Sequence, residues 1–184
     1  TQDMEPLLDE ILSQMKHVVD YCIASVVVLR QGEVVAVRTL GRKVTNAPLL
    51  LTALIATPHW QRMIEEKQPI VLPDIFQEWD FLEPFDRVLT QEKKEKGTNE
   101  RSWMGLPLIV RGEVVGAFSI THSEPAFFTP DRVKMAFAFA NHAAVAIESS
   151  RTRVEAVNAA AFAERARLAR ELHDSVSQAL YGMV

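Results

Sequence analysis

Residues 131–181 contain neither glycine nor proline. Glycine inside a helix costs about 1 kcal/mol and proline about 3 kcal/mol relative to alanine, so a run this long without either is a strong helical signal. Thr129-Pro130-Asp131 stands immediately before it, an N-cap residue followed by proline at the first helical position. One helix from Pro130 to the region of Val184 would be roughly 80 Å long at about 1.5 Å per residue. The rest of the chain cannot cover such a helix, so its distal part is expected to pack on another partner, most simply a second copy of itself. Val133, Ala140, Ile147, Val154, Ala161 and Leu168 fall seven apart, as in a coiled-coil seam. The companion positions are mixed: Phe137 and Ala144, then Arg151, Asn158 and Arg165, then Leu172. Val157 and Phe162 offer alternative seams, so the seam is expected to change phase between about 150 and 165.

Composition closes off several classes of protein. Acidic residues outnumber basic ones, 24 to 20, and no basic stripe stands out, which argues against direct nucleic-acid binding. The single cysteine, Cys22, excludes an internal disulfide and a cysteine-built zinc site, and no metal site is expected. No apolar run approaches the ~20 residues of a membrane span, and no signal peptide is present. The chain begins at Thr1 without Met and stops within a helical pattern. It reads as a piece of a longer, cytoplasmic protein whose membrane anchor, if it has one, precedes it.

Taken in order, residues 3–20 read as an amphipathic helix with Leu7, Leu8, Ile11, Leu12, Met15, Val18 and Val19 on one face and Asp3 as its cap. Residues 22–40 read as a β-hairpin turning at Gln31-Gly32. Cys22, at its start, reads as a small buried apolar residue, the sharper alternative being a chromophore attachment point. Residues 41–56 fit either a short strand or a helical turn. Thr57-Pro58 starts a helix to about Lys67 with Trp60, Met63 and Ile64 inward, and residues 69–73 form a short strand. Residues 76–101 read as irregular, with a solvated charged loop from Gln91 to Arg101. A second hairpin, 102–122, turns at Arg111-Gly112 and echoes the first. Trp79, Phe81, Phe85 and Trp103 are the aromatic residues available to line a small-molecule pocket, although core packing is the competing role for each. His59 and His122 read as a residue at a helix start and a surface residue at a strand end. A haem pocket would recruit one of them. His17 and His142 read as surface or packing residues on helices.

The densest chemistry lies in Glu164-Arg165-Ala166-Arg167-Leu168-Ala169-Arg170-Glu171-Leu172-His173-Asp174-Ser175-Val176-Ser177-Gln178. Leu168, Leu172, Val176 and Leu180 make an apolar stripe at one-turn spacing. His173, Asp174 and Gln178 lie off that stripe, and Asp174 and Gln178 are one turn apart. The run E-x-x-R-x-A-R-E-L-H-D-x-x-x-Q resembles the phosphoacceptor helix of sensor histidine kinases, in the subfamily that signals to NarL-type response regulators. The resemblance implies that His173 is the phosphoacceptor, that Asp174 orients and activates it, and that Gln178 positions a water for dephosphorylating the partner. It implies ATP and Mg in the full-length kinase, and no cofactor in this piece. The 184 residues contain neither the Asn-bearing helix nor the Gly-rich lid motifs of an ATP-binding domain, so the chain alone is expected to be inactive as a kinase.

The order of motifs over residues 3–150 resembles a GAF domain. The residues that carry this are Pro69-Ile70-Val71-Leu72-Pro73-Asp74, Ser102-Trp103-Met104-Gly105-Leu106-Pro107-Leu108, the Gly112 turn with Val115-Gly116-Ala117, and Phe127-Phe128-Thr129-Pro130-Asp131. The implied fold is α+β: an antiparallel sheet of five or six strands flanked by helices, followed by a long C-terminal helix forming a dimeric coiled coil. The expected divisions are a sensor domain over 3–148, a signalling linker over 149–163 and the start of a phosphotransfer and dimerisation helix over 164–184. The expected partners are a second copy, a NarL-type response regulator and an unidentified small molecule. The competing function is a ligand-binding dimerisation module without a catalytic role. A cyclic-nucleotide-binding regulatory domain of a hydrolase has no use for the His-Asp-x-x-x-Gln run.

Overall fold

The computed structural model describes residues 4–41, 47–88 and 99–181, without the side chains of 47, 48, 87, 88, 155, 157, 158, 163, 166 and 169–181. The elements are α1 (Glu5–Val18), β1 (Ile23–Arg30), β2 (Glu33–Gly41), α2 (Ala47–Ile55), α3 (Pro58–Glu66), β3 (Ile70–Leu72), a 3₁₀ turn (Ile75–Gln77), α4 (Trp79–Val88), β4 (Ser102–Val110), β5 (Glu113–His122) and α5 (Pro130–Tyr181). By its internal packing the chain forms one unit through Ile147 and a second from Glu148 onward.

The five strands make one antiparallel sheet in the order β2-β1-β5-β4-β3. Its inner strands are apolar on both faces, so both faces must be covered. Ala24, Val26 and Val28 of β1, Met104, Leu106 and Leu108 of β4, and Phe118 and Ile120 of β5 meet α1 and the first turns of α5. Val27 and Leu29, Ala117, Trp103, Ile70 and Leu72 meet Leu54, Trp60, Met63, Ile75 and Phe81 on the other side. Each fully buried side chain of this size contributes about 1.5–3 kcal/mol.

The hairpins share turn chemistry. Gln31 and Gly32 have φ of 52° and 83°, and Arg111 and Gly112 have φ of 53° and 82°. Positive φ at both central residues is the type I′ geometry that follows strand twist, and glycine meets it without a Cβ penalty. Each hairpin also shifts register a few residues from its turn, at Val28/Leu29 and at Leu108/Ile109.

On α1, Leu8, Ile11, Leu12 and Met15 are buried at three-to-four spacing. Met4 occupies its N-cap without a side-chain bond, and Asp3 lies outside the described residues. Arg38 of β2 ties down the same helix through paired bonds of 2.9 and 2.6 Å to Asp9. The ambiguous stretch before Thr57 resolves as helix α2 over Ala47–Ile55. Thr57 accepts the Trp60 N–H at 3.1 Å and donates to the Leu54 carbonyl at 2.8 Å, so one hydroxyl ends α2 and starts α3. Residues 79–88, read above as irregular, form helix α4. Phe81 and Phe85 one turn apart were its signal. Pro84, which cannot donate to the preceding turn, hid it.

α5 runs for 52 residues as a single helix. The proposed heptad seam needs correction within the first unit. Ala140, Ala144 and Ile147 are buried, with Ala136 and Ala143, in the domain's own core, so this part of the seam is taken by the sheet.

Gly105 lies two residues along β4 from Trp103, under the side chains of Trp103 and Met63. A Cβ there would sit 2.7 Å from Met63 Sδ and 2.8 Å from Trp103 Cζ2. Overpacking a filled core typically costs about 1–3 kcal/mol, and Gly105→Ala is expected to lower stability by that amount in urea unfolding. An unchanged midpoint would contradict the packing described.

Candidate functional site

The aromatic residues singled out in the sequence are not all brought together. Phe81 is buried, with its ring 5.4 Å from Phe85 and 5.1 Å from Trp103. Trp103 is anchored by its Nε1–H to Ser119 Oγ at 2.9 Å. These three rings belong to the core layer between the sheet and α4, with Met63 and Leu72. Trp79 stands apart at 64% exposure and lines nothing there. It occupies the first turn of α4, whose inward face belongs to Phe81 and Phe85.

His59 meets Phe81 edge-on, with ring centroids 5.8 Å apart. Its Nδ1 is buried and has no hydrogen-bond partner among the described residues. Burial holds the imidazole below its usual pKa. Nearby Glu78 and Asp80 oppose that shift and Arg62 reinforces it.

His122 is a correction to the sequence reading. It is buried rather than a surface residue. Its ring stacks on Phe127 at 3.5 Å between centroids, and its Nδ1 accepts the Glu124 N–H at 3.1 Å. The Arg132 guanidinium lies over the other side of the layer, 4.0 Å from the Phe127 centroid, and donates to the Phe127 carbonyl at 2.5 Å. Cys22 is half-buried, and its N–H pairs with the Thr121 carbonyl at 2.8 Å.

One charged pair has no signature in local sequence. Asp74, just past β3, is buried and accepts the Phe76 N–H at 3.2 Å. Arg101 binds both its carboxylate oxygens, through Nε at 3.1 Å and through Nη2. The backbone is stitched at the same place: Ile75 N–H to Arg101 carbonyl at 2.7 Å, Arg101 N–H to His122 carbonyl at 2.8 Å, and Ala126 N–H to Pro73 carbonyl at 2.7 Å. By sequence Arg101 belongs to the end of the charged loop. The available signal was an acid directly after the apolar run Ile70-Val71-Leu72-Pro73, in a place where a buried carboxylate needs a cation. Among the described residues no group of three or more His, Cys, Asp or Glu is arranged to hold a metal.

His173, Asp174 and Gln178 all fall within α5, and their side chains lie outside the described ones. Upstream, Glu164 and Arg167 form a paired ion contact at 3.0 and 2.6 Å, which holds the Glu164 carboxyl below its usual pKa. Phe162 is 76% exposed within the second unit. No described helix is long and apolar enough to cross a membrane.

The arrangement up to Ile147 is that of a small α+β domain, and its sequence matches the GAF domain family model over residues 3–147. The chain belongs to the GAF domain family. A second family model, described as histidine kinase, matches residues 164–184. A search of curated proteins gave no significant match.

Solved structures share the fold at low identity. The GAF domain/HD domain protein of Geobacter sulfurreducens is 16% identical, with a TM-score of 0.62 over 82% of this chain and 95% of that one. The GAF domain of a two-component sensor histidine kinase from Bacillus halodurans is 14% identical, with a TM-score of 0.54 over 82% of this chain and 97% of that one. The free methionine-R-sulfoxide reductase of Neisseria meningitidis, solved with its substrate, is 15% identical, with a TM-score of 0.59 over 82% of this chain and 81% of that one. At such identity these likenesses show the fold alone.

The guanidinium beside Asp74 is the largest influence holding its carboxyl below the usual value, and it outweighs the opposing effect of burial. A carboxyl depressed on folding adds stability above its unfolded pKa of about 3.9. That stability is lost as pH falls from there through the lower folded value. Asp74→Asn is therefore expected to flatten the acid limb of a stability–pH profile. A mutant profile parallel to wild type would mean the pair carries no pH-dependent stability.

Proposed function

We propose that the chain is the sensory and phosphoacceptor portion of a two-component sensor histidine kinase, working as a homodimer. The observation that carries this reading is the run Glu164–Gln178, helical throughout and inside the segment matched by the histidine kinase model. His173 is the proposed nucleophile. Its unprotonated ring nitrogen attacks the γ-phosphorus of ATP, the bond from that phosphorus to the β-bridging oxygen breaks, and ADP leaves. Asp174 accepts a hydrogen bond from the other ring N–H, which sets the tautomer and draws off the proton as the ring gains charge. The phosphoryl group then moves from nitrogen to an aspartate oxygen of a NarL-type response regulator. Gln178 orients the water that later hydrolyses that acyl phosphate. ATP and Mg would be held by a separate ATP-binding domain of the parent kinase, in the cytoplasm, where the regulator also resides. The domain up to Ile147 supplies the signal.

Phosphate labelling and dephosphorylation rates test this. In the parent kinase, His173→Gln should abolish acid-labile phosphate incorporation while the protein remains dimeric in sedimentation, and label that persists in the mutant removes the assignment. The 184-residue chain alone should take up no phosphate from labelled ATP. Gln178→Ala should slow regulator dephosphorylation by about a hundredfold, the low end of what a positioned acid–base group contributes, with autophosphorylation retained. If Asp174→Asn and Gln178→Ala both left output unchanged, the chain would be a ligand-binding dimerisation module without catalytic role.

A further inference from the structure

His59 sits where α3 meets α4, and only its neutral form suits that place. It follows Pro58 in the first turn of α3. Its ring meets Phe81 of α4 edge-on, with centroids 5.8 Å apart. Its Nδ1 is buried and has no hydrogen-bond partner among the described residues. The neutral ring tolerates this, because its one proton can stay on Nε2 and leave only a lone pair at Nδ1. An imidazolium carries a proton on both nitrogens. The charged ring would therefore hold a buried N–H at Nδ1 with nothing to receive it, which a desolvated site disfavours.

Two acids able to receive that proton stand at the start of α4. Glu78 accepts the Phe81 and Leu82 N–H groups on its carbonyl, and Asp80 lies in the helix's first turn. Glu78 is half-buried and Asp80 exposed, whereas Phe81 is buried. Both carboxylates favour a charged imidazole, and Arg62, one turn along α3, opposes it. Glu83 and Asp86 lie further along α4, and Glu65 and Glu66 at the far end of α3. The other elements packed on α3 are α2 and β4, which contain no titratable side chain.

We propose that His59 is a proton-operated switch between α3 and α4. Neutral, it packs on Phe81. Protonated from solvent, its ring leaves the phenyl group and turns the Nδ1–H toward the carboxylates of Glu78 and Asp80. The change reaches the sheet, because Phe81 also packs 5.1 Å from Trp103 of β4. It makes acidity an input to the domain up to Ile147, and it goes beyond the phosphoacceptor reading.

The test is a pH titration of the 184-residue chain, followed by NMR at the His59 Cε1–H and the Phe81 ring protons, with His59→Gln to assign the imidazole. Burial outweighs the two acids and holds His59 below its usual value of 6.5, so its midpoint is expected below 6.5, with the Phe81 signals moving at the same midpoint. Neutral packing adds stability above the unfolded value of about 6.5, and this stability is lost as pH falls through the lower folded value. The thermal midpoint of wild type should therefore fall relative to that of His59→Gln over that interval. Glu78→Gln with Asp80→Asn should shift the His59 midpoint further down. A His59 midpoint at or above 6.5, or Phe81 signals that stay fixed while His59 titrates, would overturn the switch. Phosphate labelling at His173 in the parent kinase is indifferent to either result, so a failure here and a failure of the phosphoacceptor reading are told apart.

Discussion

The structure depends on a sheet that cannot leave either face in water. Val26, Val27 and Val28 follow one another in β1 and are all buried, alternately to the two sides. A strand apolar on both faces forces a three-layer arrangement. α1 and the start of α5 form one outer layer, and α2, α3 and α4 form the other. The two outer layers differ in kind. The first is built from long regular helices, rich in leucine on α1 and in alanine on α5. The second is short, interrupted and aromatic, and it holds the His59 nitrogen that has no partner among the described residues.

How much of this could be read from the residues depended on how local the signal was. The hairpins were legible because Gln31-Gly32 and Arg111-Gly112 sit between β-branched runs. α3 was legible from Thr57-Pro58, and α5 from its freedom from glycine and proline. α4 was not, because Pro84 contradicts a helix locally, and only the packing of Phe81 against Phe85 and Trp103 reveals why the helix forms. The Asp74–Arg101 pair joins residues 27 positions apart, and no periodicity connects them. His122 misled for a related reason. A histidine at a strand end is ordinarily wet, and its burial depends on Phe127, which arrives only after the chain has turned.

The candidate phosphoacceptor residues rest on a different kind of signal. His173, Asp174 and Gln178 were picked out by residue type and spacing along one helix, which requires no tertiary contact to recognise. The aromatic candidates needed tertiary information, since Trp79 and Phe81 are two positions apart yet one is in water and the other in the core. Period alone also could not assign the faces of α5, because a seven-residue repeat of small apolar residues suits packing on a sheet as well as on another helix. Burial of Ala140, Ala144 and Ile147 decides between them in the first unit.

The connector from β5 to α5 has a mechanical consequence. Residues 123–129 join strand to helix, and Glu124, Ala126 and Phe127 among them are each held. Glu124 is bonded through both its N–H and its carbonyl, Ala126 is fixed at φ 54° with its N–H on Pro73, and Phe127 lies between an imidazole and a guanidinium. Such a joint has little compliance. A displacement at the end of β3 or at Arg101 would not be absorbed as slack in the connector, but would be delivered as a tilt or turn of the first residues of α5, in the manner of a stiff crank.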